Sequence, residues 1–156
     1  MGDGYLTYIQ YGSSTMYLST IMDLFNNEIV AYKMYNHQQT PLVTDTLKEA
    51  LALRENPEGV IVHSVQGGVY IAYQELVKKS HLVSSMSRRS NCWDNAVIES
   101  FHSNIKSGEF QYVKFNSMHN IQVVEKVNVY IRYYNEDRIL EKLGYLTPQE
   151  FGAQAA

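Results

Sequence analysis

The residues with the clearest chemical potential lie together between Ser87 and Lys106. A polar, basic loop, Ser87-Arg88-Arg89-Ser90-Asn91-Cys92-Trp93, runs into Asp94-Asn95 and then into an amphipathic stretch. Asp94 has the side chain of an N-cap, because its carboxylate accepts the free amides of a first helical turn. Val97, Ile98, Phe101 and Ile105 recur at helical spacing on one face. Glu99, His102 and Lys106 are expected on the other. A helix wall would thus display one carboxylate beside a loop of Arg88, Arg89, Asn91, Trp93 and Asn95, side chains that contact phosphates and stack on bases. The plainer account is a solvated helix with an ordinary surface glutamate.

The wording of the stretch favours chemistry. The run from Ser87 to His102 resembles the third catalytic motif of insertion-sequence transposases, the second-reading-frame product with a retroviral-integrase-like core. The resemblance covers nearly the whole chain. It implies a ribonuclease-H-like fold and two Asp and one Glu as metal ligands, with Glu99 as the glutamate. It also implies DNA as partner, held by Arg88, Arg89, Asn91, Trp93, Asn95 and Lys106, and a homodimer as the assembly. Such enzymes cut and join DNA by in-line attack at phosphorus, using two Mg or Mn ions about 3.5–4 Å apart. Magnesium requires hard carboxylate oxygens.

Two positions depart from that pattern. The family places its second Asp in a His-Ser-Asp-Gln-Gly run; here the run is His63-Ser64-Val65-Gln66-Gly67. Val65 lies 34 positions before Glu99, the family's habitual interval, so the location is right and the ligand is lost. Valine has no lone pair to offer a cation. The first Asp is expected at Asp3, in a stretch one residue shorter than the family's, and a one-residue shift turns a strand side chain to the opposite face. Asp23 is the fallback, with a turn role expected. Metal binding is therefore doubtful, and the chain reads as a silenced catalytic core. A non-catalytic DNA-binding or subunit-assembly remnant is the alternative. A nuclease acting on RNA–DNA hybrids and a globular domain without DNA contact are weaker ones.

The elements that must position these residues are legible in outline. Tyr5–Tyr11, Met16–Asp23 and Glu28–Tyr35 read as an antiparallel meander with turns at Gly12-Ser13-Ser14 and Asn26-Asn27. Thr40 is expected to cap a helix with Pro41 first and Val43, Leu47, Ala50 and Leu51 inside. Gly59–His63 and Leu82–Met86 read as parallel strands around a helix at Val69–Lys79, whose inner face is Ala72, Tyr73, Leu76 and Val77. Ser117 is expected to cap a long helix with Ile121, Val124, Val127, Ile131 and Tyr134 inside. The signature from Tyr133 to Phe151 reads as packing, with Gly144 as a turn, Thr147 as a cap and Arg138 as a phosphate contact. This order predicts α/β architecture, a mixed five-stranded sheet flanked by helices.

The totals set bounds. A chain of 156 residues with 45% hydrophobic and 19% charged side chains suits one domain, taken as residues 1–156. The net charge of −3 supplies no global field for nucleic acid, so DNA contact must be local. One cysteine excludes an internal disulfide and a cysteine zinc cluster. No signal peptide or membrane-length apolar run is present, which places the protein in the cytoplasm. The family's upstream helix-turn-helix region is absent from the sequence, so DNA binding is expected to be sequence-independent.

Overall fold

The computed structural model describes residues 2–55, 58–64, 70–86, 96–106 and 119–155, with positions 2–5, 64, 70, 86 and 155 described by backbone alone. Strands β1 (Gly2–Tyr11), β2 (Ser14–Asp23) and β3 (Glu28–Tyr35) form the antiparallel meander. Helix α1 (Thr40–Leu53), β4 (Ile61–Ser64), α2 (Tyr70–Lys79) and β5 (Val83–Met86) follow. Helices α3 (Ala96–Asn104), α4 (Asn120–Glu136) and α5 (Pro148–Ala155) complete the order, with a short 3-10 turn at Glu141–Leu143. The five strands form one sheet in the order β3-β2-β1-β4-β5. Strand β4 is parallel to both β1 and β5. This is the expected mixed sheet, and its helices cover both faces.

Alternation along the strands explains the two layers. Ile9, Tyr11, Met16, Leu18 and Met22 face α3 and α4, meeting Ile98, Phe101, Ile105, Val123, Val127 and Ile131 in one buried cluster. Ile21, Ala31 and Val62 face the other way and pack against Leu47, Ala50 and Leu51 of α1 and Tyr73 and Val77 of α2. The hairpin between β2 and β3 turns at Asn27, whose φ of 59° is a left-handed conformation that asparagine tolerates.

Several boundaries and faces differ from the sequence reading. Gln39, one residue before Thr40, is the N-cap of α1, without a side-chain cap bond. Val43 is only half-buried; Leu42 and Thr46 take the inner face with Leu47. Ala72 is exposed. His119 is the N-cap residue of α4, its N–H donating to Gln122 Oε1 at 2.9 Å; Ser117 lies outside the described residues. Ile121 is 71% exposed and Val124 half-buried, because the α4 stripe runs through Val123, Val127, Tyr130, Ile131 and Tyr134.

Candidate metal and nucleic-acid site

Helix α3 carries Glu99 and is anchored by its own sequence pattern. Ile98, Phe101 and Ile105 are almost wholly buried, and the Phe101 ring meets Tyr134 of α4 edge-on at 4.8 Å between centroids. The opposite flank is fixed by geometry: Glu99, Ser103 and Lys106 follow one another at helical spacing. Glu99 is half-buried, and no hydrogen bond or ion pair engages its carboxylate among the described residues.

His102 departs from expectation. It stands four residues after Ile98, on the inner side of the helix, and is 3% exposed. Its Nε2 lies 2.9 Å from Thr20 Oγ1 on β2. Burial, and secondarily the charge of Lys106, pushes its pKa down to about 3, so the ring is neutral at ordinary pH. Lys106 reaches outward, its Nζ 4.8 Å from the centre of the Tyr8 ring on β1. Partial burial lowers its pKa below the ordinary lysine value.

The other corner of the site is set by the parallel pair β1–β4. Asp3 stands in register beside His63 of β4 and opposite Met22 of β2. Met22 belongs to the α3–α4 side of the sheet. His63 is buried, with Nδ1 3.3 Å from Ser85 Oγ and with no hydrogen-bond partner for Nε2 among the described residues. Strand β4 ends at Ser64, one residue before Val65. Val65 and the loop residues Arg88, Arg89, Asn91, Trp93, Asp94 and Asn95 lie outside the described residues, so of the DNA contacts expected around the Glu99 helix only Lys106 is placed.

Among the described residues no three His, Cys, Asp or Glu side chains gather into a metal-binding group. The donor set at the expected site is Asp3, Glu99 and a valine. The buried polar atom at its β4 corner without a partner among the described residues is a ring nitrogen of His63, which is a poor ligand for magnesium. These residues do not fit a pair of magnesium ions, and no step is assigned to one in this chain.

The other predicted residues make contacts within the fold. Asp23 has the turn role, with Oδ1 accepting from the Phe25 amide at 3.0 Å and Oδ2 3.5 Å from Arg54. Thr147 and Glu150 form a reciprocal cap on α5, at 3.2 Å and 2.9 Å. Asn135 pairs with both backbone groups of Ile29, each at 3.0 Å. Arg138 donates to Tyr130 Oη at 3.2 Å. Sequence reasoning missed the Thr20–His102 and His63–Ser85 contacts, which join residues distant in the chain and leave no local signal.

Comparison with known proteins agrees with the resemblance. The family described as Integrase core domain matches residues 3–92, and a second profile of the same description matches residues 81–148. The putative transposase InsK for insertion sequence element IS150 of Escherichia coli K12 is 38% identical over 141 residues, covering 89% of this chain and 49% of that protein. A transposase-like protein of Haemophilus influenzae is 34% identical over 152 residues, covering 96% of this chain and 69% of its own length. This chain therefore spans about half to two-thirds of these relatives. The catalytic core domain of HTLV-2 integrase, solved in complex with magnesium in a dimeric form, superposes with a TM-score of 0.73 at 14% identity, over 96% of this chain and 93% of that one. At that identity the likeness concerns the fold. No helix among the described residues is long and apolar enough to cross a membrane.

Proposed function

The chain belongs to the integrase core family, and from that premise we propose that it is the core domain of an insertion-sequence transposase, silenced for DNA strand cleavage and joining at Val65. The observation that carries this reading is the donor set. The β1–β4 register and the α3 packing support an intact frame for Asp3 and Glu99, and the position between them in the family's pattern holds a side chain without a donor atom. The bridging carboxylate of a two-metal site touches both ions. Loss of an outer-shell partner alone costs roughly 10–100-fold in metal affinity or activity, and loss of the bridging ligand should cost more.

What survives is DNA contact. Lys106 stands outward on the Glu99 flank, and the basic loop of Arg88 and Arg89 precedes the helix in sequence. Phosphate contacts of this kind give weak, salt-sensitive binding without sequence preference. The chain's partner is then DNA in the cytoplasm, with a homodimer as the assembly. The same observation favours a second reading, a non-catalytic DNA-binding or subunit-assembly remnant in which Val65 is one of several disabling changes.

Plasmid nicking in manganese separates the two. Val65→Asp should nick supercoiled DNA where the unchanged protein does not. A Val65→Asp protein that folds, binds DNA and still fails to nick would favour the remnant.

A further inference from the structure

Helix α3 has a second polar flank, turned away from Glu99. Ser100 and Asn104 line an open pocket of about 340 Å³ there, together with Tyr134 and Arg138 at the end of α4 and Glu141 and Lys142 of the 3-10 turn. Arg138 is held in place from two sides. Its Nη1 donates to Tyr130 Oη at 3.2 Å, and its guanidinium carbon stands 5.7 Å from the centre of the Tyr134 ring. A guanidinium carries five N–H donors in a planar fork, and this bond engages one nitrogen. Among the described residues the ion pairs involve Lys33, Lys48 and Arg54, so no carboxylate neutralises Arg138 or Lys142. Among the described lining residues, Glu141 contributes the one carboxylate against these two cations.

A cation fixed by its neighbours, with no counter-ion among the described residues, is organised before a ligand arrives. The Ser100 hydroxyl and the Asn104 amide add neutral donors on the facing wall. A fork of N–H donors, a point charge and a hydroxyl suit the oxygens of a phosphate group. We propose that this pocket binds a phosphate, supplied by the backbone of a DNA strand that crosses α3. The DNA source rests on the function proposed above; the phosphate chemistry stands on the pocket alone. Helix α3 would then hold DNA from both flanks, with Lys106 on the Glu99 side and Arg138 and Lys142 on the other.

The experiment has two arms. In the first, binding of a labelled duplex of arbitrary sequence is followed by anisotropy between about 50 and 200 mM salt. Lys142→Gln, an exposed position, should lower the slope of log K against log salt by about 0.9, and the double variant Lys142→Gln/Arg138→Gln by about twice that. Lys48→Gln, whose ammonium is paired with Asp45, is the control and should leave the slope unchanged. In the second arm, inorganic phosphate is titrated while the backbone amide resonances of Ser100, Asn104, Arg138 and Lys142 are observed. A reduced slope, with or without resonance shifts, supports the pocket with DNA as the source. Saturable resonance shifts without a change in slope support a pocket for free phosphate and remove DNA as the source. Neither effect overturns the proposal. Lys106→Gln run alongside keeps the two readings apart. If it alone lowers the slope, DNA binding stands and the pocket fails as a DNA contact. If no variant binds DNA, the function fails and the phosphate titration still decides the pocket.

Discussion

Thr20 Oγ1 on β2 and His102 Nε2 on α3 lie 2.9 Å apart in the buried layer between sheet and helix, one helical turn from Glu99. Ile98, Phe101 and Ile105 of the same helix meet the sheet layer through apolar packing, so this bond is a directional tie between the glutamate's helix and the sheet. Thr20→Val keeps the shape and strands a buried ring nitrogen, which should cost about 1–3 kcal/mol. Urea denaturation of the two proteins measures it; an unchanged midpoint would show that the bond contributes nothing net.

The same histidine predicts a pH effect. Its folded pKa is lowered to about 3 from an ordinary 6.5, mainly by burial. The unfolded chain therefore binds the proton more readily. The stability this neutral ring contributes is complete above about pH 6.5 and is lost as pH falls from there toward 3, at up to about 1.4 kcal/mol per pH unit. Denaturation curves for the unchanged protein and for His102→Gln should diverge in slope below pH 6.5. Parallel curves would mean the ring is protonated in the folded state.

Asn135 supports the open edge of the sheet. Its side-chain amide satisfies both the N–H and the C=O of Ile29 on the edge strand β3. Asn135→Ala leaves two backbone groups unpaired and should cost about 2 kcal/mol. Hydrogen exchange at Ile29 should rise more than exchange at Leu18, on the interior strand β2. Equal increases at both amides would point to global loosening instead.

How much of this was legible in the sequence varies by residue. Strand β3 was readable to its ends, because its alternation and the Asn26-Asn27 turn are local signals. The side of α3 was harder. His102 is polar, and polarity suggested the outer face; its position, four after Ile98, places it inward, and only Thr20, 82 residues away in sequence, explains why a polar ring is tolerated there. Ile121 failed for the opposite reason: an apolar side chain at the start of α4 lies one step off the buried stripe. The Glu99 helix followed from spacing, as did the shared flank of Glu99 and Lys106. The pocket beside Arg138 did not, since it joins α3 to the end of α4 across a fold that local periodicity does not encode.

On the Glu99 flank, Lys106 makes its own prediction. It stacks on Tyr8 and carries no carboxylate partner among the described residues. Lys106→Gln should weaken DNA binding similarly for unrelated sequences and reduce the salt slope by about 0.9. A loss confined to one sequence would contradict a backbone contact.

The central claim is that Val65 silences an otherwise retained carboxylate site. The most direct test is a manganese titration by calorimetry of the unchanged protein beside Val65→Asp. The account predicts saturable binding by Val65→Asp alone, removed again when Glu99→Gln is added. Equal binding by the unchanged protein and Val65→Asp would mean that Asp3, Glu99 or another group forms a metal site without position 65, and would contradict it.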